Sequence, residues 1–115
     1  MKKISAVGDK TNPDSIKLDQ DLRAKGIELL WNTDEPIKGA VALLFIGDNM
    51  DKRDWSEPEK ILMEKWRSGN FRVLPALFPG GIKPAALNDI MPADFAKNPE
   101  RALQDLIKAI NHFMA

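Results

Sequence analysis

One uninterrupted apolar run constrains the fold of this chain more than any other feature. Residues 40–46 read Ala-Val-Ala-Leu-Leu-Phe-Ile, and Gly47-Asp48 follows at once. A strand that is apolar on both faces needs cover on both sides, as a central strand of a parallel sheet does. Helices supply that cover in α/β proteins, so the run predicts a parallel sheet between two layers of helices.

Shorter apolar runs and helix signals alternate on either side of this strand. Three further strands and a candidate for a short last one are predicted at Ile4–Val7, Ile27–Trp31, Phe71–Leu77 and Ala93–Phe95. Helices are predicted to begin where capping residues or first-turn prolines precede apolar stripes, at Asn12-Pro13, near Ser56 and at Asn98-Pro99. Such alternation predicts α/β architecture, a single domain over residues 1–115 with helices on both faces of the sheet.

Composition argues against several classes of function. The 17 basic and 17 acidic residues cancel, which gives no support for nucleic-acid binding. The chain has no cysteine, and its one histidine, His112, argues against multi-histidine metal sites. Residues 40–46 are too few to span a bilayer, and no signal peptide follows the first lysines. We therefore expect a cytoplasmic protein without a metal or a membrane partner.

Small or polar residues follow three of the predicted strands, at Gly8-Asp9, Asn32 and Gly47-Asp48. Parallel sheets bind ligands at the carboxyl ends of their strands, near the point where the strand order reverses. If these three ends are neighbours, Asp9, Asn32 and Asp48 form one polar rim. The alternative is that these residue types simply make good turns.

The segment Asp54-Trp55-Ser56-Glu57-Pro58-Glu59 combines an aromatic ring and a carboxylate at the start of a predicted helix. A carboxylate beside an aromatic wall suits reactions with an oxocarbenium-like transition state, such as cleavage of an N-glycosidic bond. Two ordinary interpretations compete with this one. Ser56 and Glu59 have the spacing of a capping box, and Trp55 could be a core residue.

The same segment resembles the W-x-x-x-E motif of TIR (Toll/interleukin-1 receptor) domains that cleave NAD⁺. The flanking segments resemble bacterial TIR strands and the last helix in the same order, at residues 40–47, 72–80, 93–95 and 98–113. The resemblance covers about two thirds of the chain. It implies a flavodoxin-like parallel sheet of four to five strands.

The resemblance also implies an activity, that of an NAD⁺ nucleosidase acting in bacterial immunity or as an effector. Glu59 would be the catalytic carboxylate and Trp55 a wall of the site, with NAD⁺ as substrate and no cofactor. Asp9, Asn32 and Asp48 are weaker candidates for contacts with the substrate. Self-association, or pairing with another TIR-containing protein, would accompany activity.

The chain departs from the TIR pattern between its second and third strands. Only residues 33–39 stand where TIR domains carry a mobile loop and a second helix. Seven extended residues reach about 23 Å, which leaves nothing for a helix. Either the connection is a bare crossover that leaves a sheet face partly uncovered, or the second strand has another direction or position.

This departure keeps two other functions open. One is a non-catalytic TIR-like module that pairs with another TIR protein or a nucleotide sensor. The more distant one is a flavodoxin-like or nucleoside-transferase-like enzyme.

Trp31 could stack on a base, although core packing is the more common role of a strand aromatic, and Trp66 has the spacing of a core residue. Asp48, Asp51 and Asp54 share a loop but do not fit a calcium-binding pattern.

Overall fold

The computed structural model of the 115-residue chain describes residues 2–32, 41–47, 57–67, 72–82, 87 and 92–113. Along the chain these residues form β1 (Lys2–Val7), α1 (Pro13–Arg23), β2 (Ile27–Trp31), β3 (Val41–Ile46), α2 (Glu57–Arg67), β4 (Arg72–Leu77), β5 (Ala93–Asp94) and α3 (Pro99–Phe113). The strand predictions are confirmed, with bounds that differ by at most two residues.

The five strands form one sheet in the order β2-β1-β3-β4-β5, and every neighbouring pair is parallel. This order is that of the flavodoxin-like folds, so the predicted fold class is confirmed. Strand β3 lies in the middle of the order, and its six residues are each at most 2% exposed. The apolar run therefore has the buried central position that its composition predicts.

The side chains of alternate strand residues contribute to two separate apolar clusters, one on each face of the sheet. In β3, Leu43 and Phe45 face the cluster that α1 and α3 cover, whereas Leu44 and Ile46 face the cluster that α2 covers. We call these sides the α1/α3 face and the α2 face. Helices thus lie on both faces, as predicted.

Polar caps define where the helices begin. The Asn12 side chain accepts a hydrogen bond from the Asp14 N–H at 2.8 Å, and the Asn98 side chain accepts one from the Arg101 N–H at 3.2 Å. Each cap satisfies an N–H group that has no partner inside the helix. No helix within the described residues is both long and apolar enough to cross a membrane.

The register of the strands explains how β2 connects to β3 across β1. Trp31 and Leu43 both pair with Ala6, so the end of β2 lies level with the middle of β3. The chain must therefore drop only about 7 Å along the strands and move about 10 Å sideways to reach Val41. The alternative of another direction or position for β2 is wrong, because β2 lies beside β1 and parallel to it. Residues 33–40 themselves lie outside the described residues.

Pro75 lies inside β4, although proline lacks the N–H that a strand donates. The Phe78 N–H donates to the Ile46 carbonyl of β3 at 3.0 Å. On the other side, the Leu77 carbonyl accepts from the Phe95 N–H at 2.8 Å. Because backbone groups alternate sides along a strand, the Pro75 nitrogen points away from β3, as the Leu77 groups do. Strand β5 pairs with only the last two residues of β4, so the described ladder needs no donor from Pro75.

Candidate functional site

The carboxyl edge of the sheet brings the ends of β2, β1 and β3 together as predicted, because these strands are neighbours in the order. Strand β2 lies beside β1 on one side, whereas β3 and then β4 follow on the other side of β1. The order thus reverses between β1 and β3, which is where sheets of this kind bind ligands. Gly8-Asp9 and Gly47 flank this reversal. Asp48, Trp55 and Ser56 lie outside the described residues.

Asn32 joins the ends of β1 and β2. Its Nδ2 donates to the Gly8 carbonyl at 2.6 Å, and its Oδ1 accepts from the Gly8 N–H at 3.0 Å. The Asn32 backbone N–H also donates to the Ala6 carbonyl at 2.8 Å. The residue adopts a left-handed φ of 45°, which asparagine tolerates better than most residues. Asn32 is at the predicted edge, but its amide holds two strands together.

Asp9 shapes the turn that leads from β1 into α1. Its Oδ1 accepts from the Thr11 N–H at 2.9 Å and from the Thr11 hydroxyl at 2.6 Å. Its backbone carbonyl accepts from the buried Ser15 hydroxyl at 2.6 Å. Asp9 itself is exposed at the carboxyl edge. The turn interpretation of this residue is therefore supported, and its position leaves it within reach of a ligand at the same edge.

Two glycines let the strand ends pack closely around Phe45. A Cβ on Gly8 would lie 2.7 Å from the Phe45 Cβ, and a Cβ on Gly47 would lie 2.5 Å from the Phe45 Cε1. The same Gly47 position is 3.5 Å from the Asn12 side-chain nitrogen. The backbone of β3 thus comes close to the first turn of α1 just where the strand order reverses.

Glu59 is the buried carboxylate of this edge. It lies in the first turn of α2 and is 1% exposed. Leu62, Met63 and Trp66 follow at helical spacing and pack in the cluster of the α2 face, so Glu59 shares the side that meets the sheet. Since α2 connects the end of β3 to the start of β4, its first turn lies at the carboxyl edge.

Because it is buried, the Glu59 carboxylate is a candidate for a chemical role. A carboxylate removed from water costs several kcal/mol unless neighbouring groups replace its hydration. Buried carboxylates at ligand-binding edges are therefore candidates for chemistry. The sequence pointed to Glu59 through its spacing from Trp55, but it contained no signal of the side chain's burial.

A groove formed by described residues lies on the other face of the sheet. It encloses about 250 Å³ between α1 and the first half of α3. Phe78 and Phe95 line it, stacked with their ring centroids 4.6 Å apart, and Asp14 and Glu100 lie at its rim. Sequence reasoning missed this groove, because its walls come from residues some 80 positions apart. Glu59 is not among its lining residues.

Aromatic rings from four strand ends form a row beneath α1 and α3. Trp31 packs edge to face on Phe45 at 6.5 Å, and Phe45 lies 4.8 Å from Phe78, which stacks on Phe95. Gly8 takes the corresponding position at the end of β1. Trp31 is half-buried within this row, which favours its core interpretation over a free stacking surface.

No cluster of potential metal ligands is found in the described part of the carboxyl edge. Within residues 2–32, 41–47, 57–67, 72–82 and 92–113, no three His, Cys, Asp or Glu side chains lie together as metal ligands would.

Trp66 packs partly buried against the cluster of the α2 face, as its spacing predicts.

No protein-family model matches the chain, and neither a curated protein nor a solved structure does. The resemblance to TIR domains therefore stays a prediction that rests on the residues quoted above.

Proposed function

We propose that this domain cleaves the bond between nicotinamide and ribose in NAD⁺, with Glu59 as the catalytic carboxylate. The burial of Glu59 supports this function most directly. The side chain is 1% exposed in the first turn of α2, at the edge where flavodoxin-like sheets bind their ligands. The Trp55-to-Glu59 spacing, which resembles that of NAD⁺-cleaving TIR domains, points to the same reaction.

The chemistry suits a buried carboxylate. Nicotinamide leaves with the electron pair of the glycosidic bond, and positive charge develops on the ribose. The negative charge of Glu59 stabilises that cation more strongly in a low-dielectric site than in water. Water then adds to the ribose carbon and loses a proton, which gives ADP-ribose. Since Glu59 is 1% exposed, substrate contact requires an opening at the carboxyl edge.

Other residues of the edge have supporting roles in the proposal. The exposed Asp9 carboxylate can bind a ribose hydroxyl. Asn32 acts mainly by holding β1 and β2 in place, since both ends of its amide bond to Gly8. Trp55 keeps the role that the resemblance implies, and Asp48 stays a weaker candidate for contact with the substrate. The setting we propose is bacterial immunity or an effector role in the cytoplasm.

The test is nicotinamide release from NAD⁺ by the purified protein, with and without a crowding agent to favour assembly. Glu59→Gln preserves the shape of the side chain and removes its charge, so it should lower the rate at least about 100-fold. The matched control is Glu64→Gln, an exposed residue of the same helix, which should leave the rate unchanged. Equal rates for wild type and Glu59→Gln would contradict the assignment.

A second candidate function is that of a non-catalytic interaction module. Strand β2 is an edge strand, and its Leu30 is 37% exposed. Leu29 packs on the α1/α3 face, so the side chain of Leu30 faces the opposite side of the sheet. An exposed leucine on an edge strand suits a partner that extends the sheet. Light scattering tests this function: a strict monomer that also ignores TIR domains would exclude it.

A further inference from the structure

Exposed basic side chains gather at the amino edge of the sheet, where strands begin and helices end. Lys2 and Lys3 open β1, and Arg72 opens β4. Arg23 and Arg67 end α1 and α2, Lys25 lies in the turn before β2, and Lys108 lies in the second half of α3. We call this set the amino-edge patch; its seven exposed members are Lys2, Lys3, Arg23, Lys25, Arg67, Arg72 and Lys108.

Hydrogen bonds and a ring contact draw parts of the patch together. The Lys2 N–H donates to the Gly26 carbonyl at 2.9 Å, and the Lys2 Nζ donates to Asn111 Oδ1 at 2.7 Å. The Arg72 guanidinium lies over the Phe113 ring, 5.3 Å from its centroid. The starts of β1 and β4, the turn before β2 and the end of α3 therefore form one continuous surface.

This surface carries much more charge than the neutral chain suggests. Four carboxylates among the described residues at this edge oppose the seven basic side chains, which leaves a surplus of three positive charges. They are Glu28, Glu64, Asp21 in the last turn of α1, and Asp19, whose carboxylate lies 3.9 Å from the Arg23 guanidinium. The architecture produces part of this surplus: the helices run against the strands, and basic residues such as Arg23 and Arg67 favour their C-terminal ends. At the carboxyl edge, Lys10 and Lys97 are offset by Asp9 and Asp94.

An exposed aromatic ring lies within the patch. Phe113, in the last turn of α3, is 38% exposed although it packs beneath Arg72. A partly exposed ring under an arginine, on a surface that also carries lysines, matches the boundary of an anionic bilayer, where basic groups meet lipid phosphates and aromatic rings enter the headgroup layer. A duplex nucleic acid, whose bases are already stacked on one another, or an acidic protein would use the charge but would gain less from the ring.

We propose that the amino-edge patch docks the domain on an anionic lipid surface. The contact is peripheral, so it needs no spanning helix. It also leaves the carboxyl edge facing away from the bilayer, because the two edges are opposite ends of the strands. The expectation of no membrane partner rested on the length of the apolar runs, which does not measure how charge is distributed over the surface.

The experiment is sedimentation with two sets of vesicles, one of phosphatidylcholine alone and one with about a quarter phosphatidylserine. Wild type should bind the anionic vesicles, less strongly at high salt, and should not bind the neutral ones. The variant Lys3→Gln/Lys25→Gln/Lys108→Gln should lower the partition coefficient roughly 100-fold. The control Lys10→Gln/Lys17→Gln/Lys97→Gln carries the same net charge and should bind within about twofold of wild type.

The variant Phe113→Ser distinguishes binding to a bilayer from binding to a soluble polyanion. It should weaken vesicle binding about fivefold and leave retention on heparin unchanged, because heparin offers charge without an apolar layer. Equal losses in the two lysine triples would overturn the proposal, since they would indicate general charge attraction. Failure to bind anionic vesicles, or binding to duplex DNA or an acidic protein in their place, would overturn it as well.

Discussion

The side-chain amide of Asn32 and the peptide groups of Gly8 satisfy each other in a closed pair of hydrogen bonds, 2.6 and 3.0 Å long. The pair imitates one step of a β-ladder beyond the last residues of β1 and β2. It holds the two strand ends together at the carboxyl edge, where each chain segment must turn. Only a side chain with a donor and an acceptor at one end can form both bonds.

Replacing Asn32 with alanine should lower the free energy of unfolding by about 2–3 kcal/mol. Two hydrogen bonds to a part-buried peptide are lost, each worth about 1 kcal/mol. The left-handed φ of 45° adds about 1 kcal/mol, because alanine lacks the local bonds that let asparagine adopt it. Urea unfolding followed by circular dichroism measures the difference.

Two controls divide this effect into its parts. Asn32→Gly removes the same bonds without the backbone cost, so it should recover about 1 kcal/mol relative to alanine. Asn111→Ala removes an exposed side-chain bond to Lys2 and should change the free energy of unfolding by less than about 0.5 kcal/mol. An Asn32→Ala protein as stable as wild type would mean that the amide pair does not hold the edge together.

Local patterns were sufficient to predict the elements of this fold. Residues 40–46 are apolar without interruption, and Asn12-Pro13 combines a cap with a first-turn proline, so both could be assigned from neighbours in sequence. The register was not predictable in this way. That Trp31 and Leu43 lie level, both opposite Ala6, depends on pairing between distant segments. The short β2-to-β3 connection is explained by that register.

The candidate site was less accessible to sequence reasoning than the fold. Asp9 and Asn32 were assigned correctly to the carboxyl edge, because glycine and polar residues followed apolar runs. Their hydrogen bonds to Thr11 and Gly8 depend on side-chain geometry that composition does not encode. The spacing from Trp55 made Glu59 a candidate, but the burial of its side chain follows from how α2 packs on the sheet.

Gly47→Ala should destabilise the protein by about 1–3 kcal/mol, and Phe45→Leu should remove most of that cost. The added Cβ would lie 2.5 Å from Phe45 Cε1 and 2.9 Å from Cζ, and leucine has neither atom. Urea unfolding of wild type, both single variants and the double variant gives the coupling energy, which we expect to be about 1 kcal/mol or more.

Gly8→Ala provides the matched control for this rescue. Its Cβ would meet the Phe45 Cβ at 2.7 Å, an atom that leucine retains, and its φ of 144° disfavours any side chain. Phe45→Leu should therefore leave the cost of Gly8→Ala nearly unchanged. Equal rescue of the two glycine variants would show that general loosening of the core, rather than the ring contact, relieves the strain.

Phe78 and Phe95 should stabilise each other beyond the apolar area that they bury. Their rings stack at 4.6 Å with planes 10° apart, and both are less than 9% exposed beneath α1 and α3. A double-mutant cycle with leucine at each position should give a coupling energy of about 0.5–1.5 kcal/mol by urea unfolding. Phe95→Leu with Phe113→Leu, a pair on different edges of the sheet, should be additive within about 0.5 kcal/mol. A coupling energy near zero for Phe78 and Phe95 would mean that their rings contribute only as separate apolar groups.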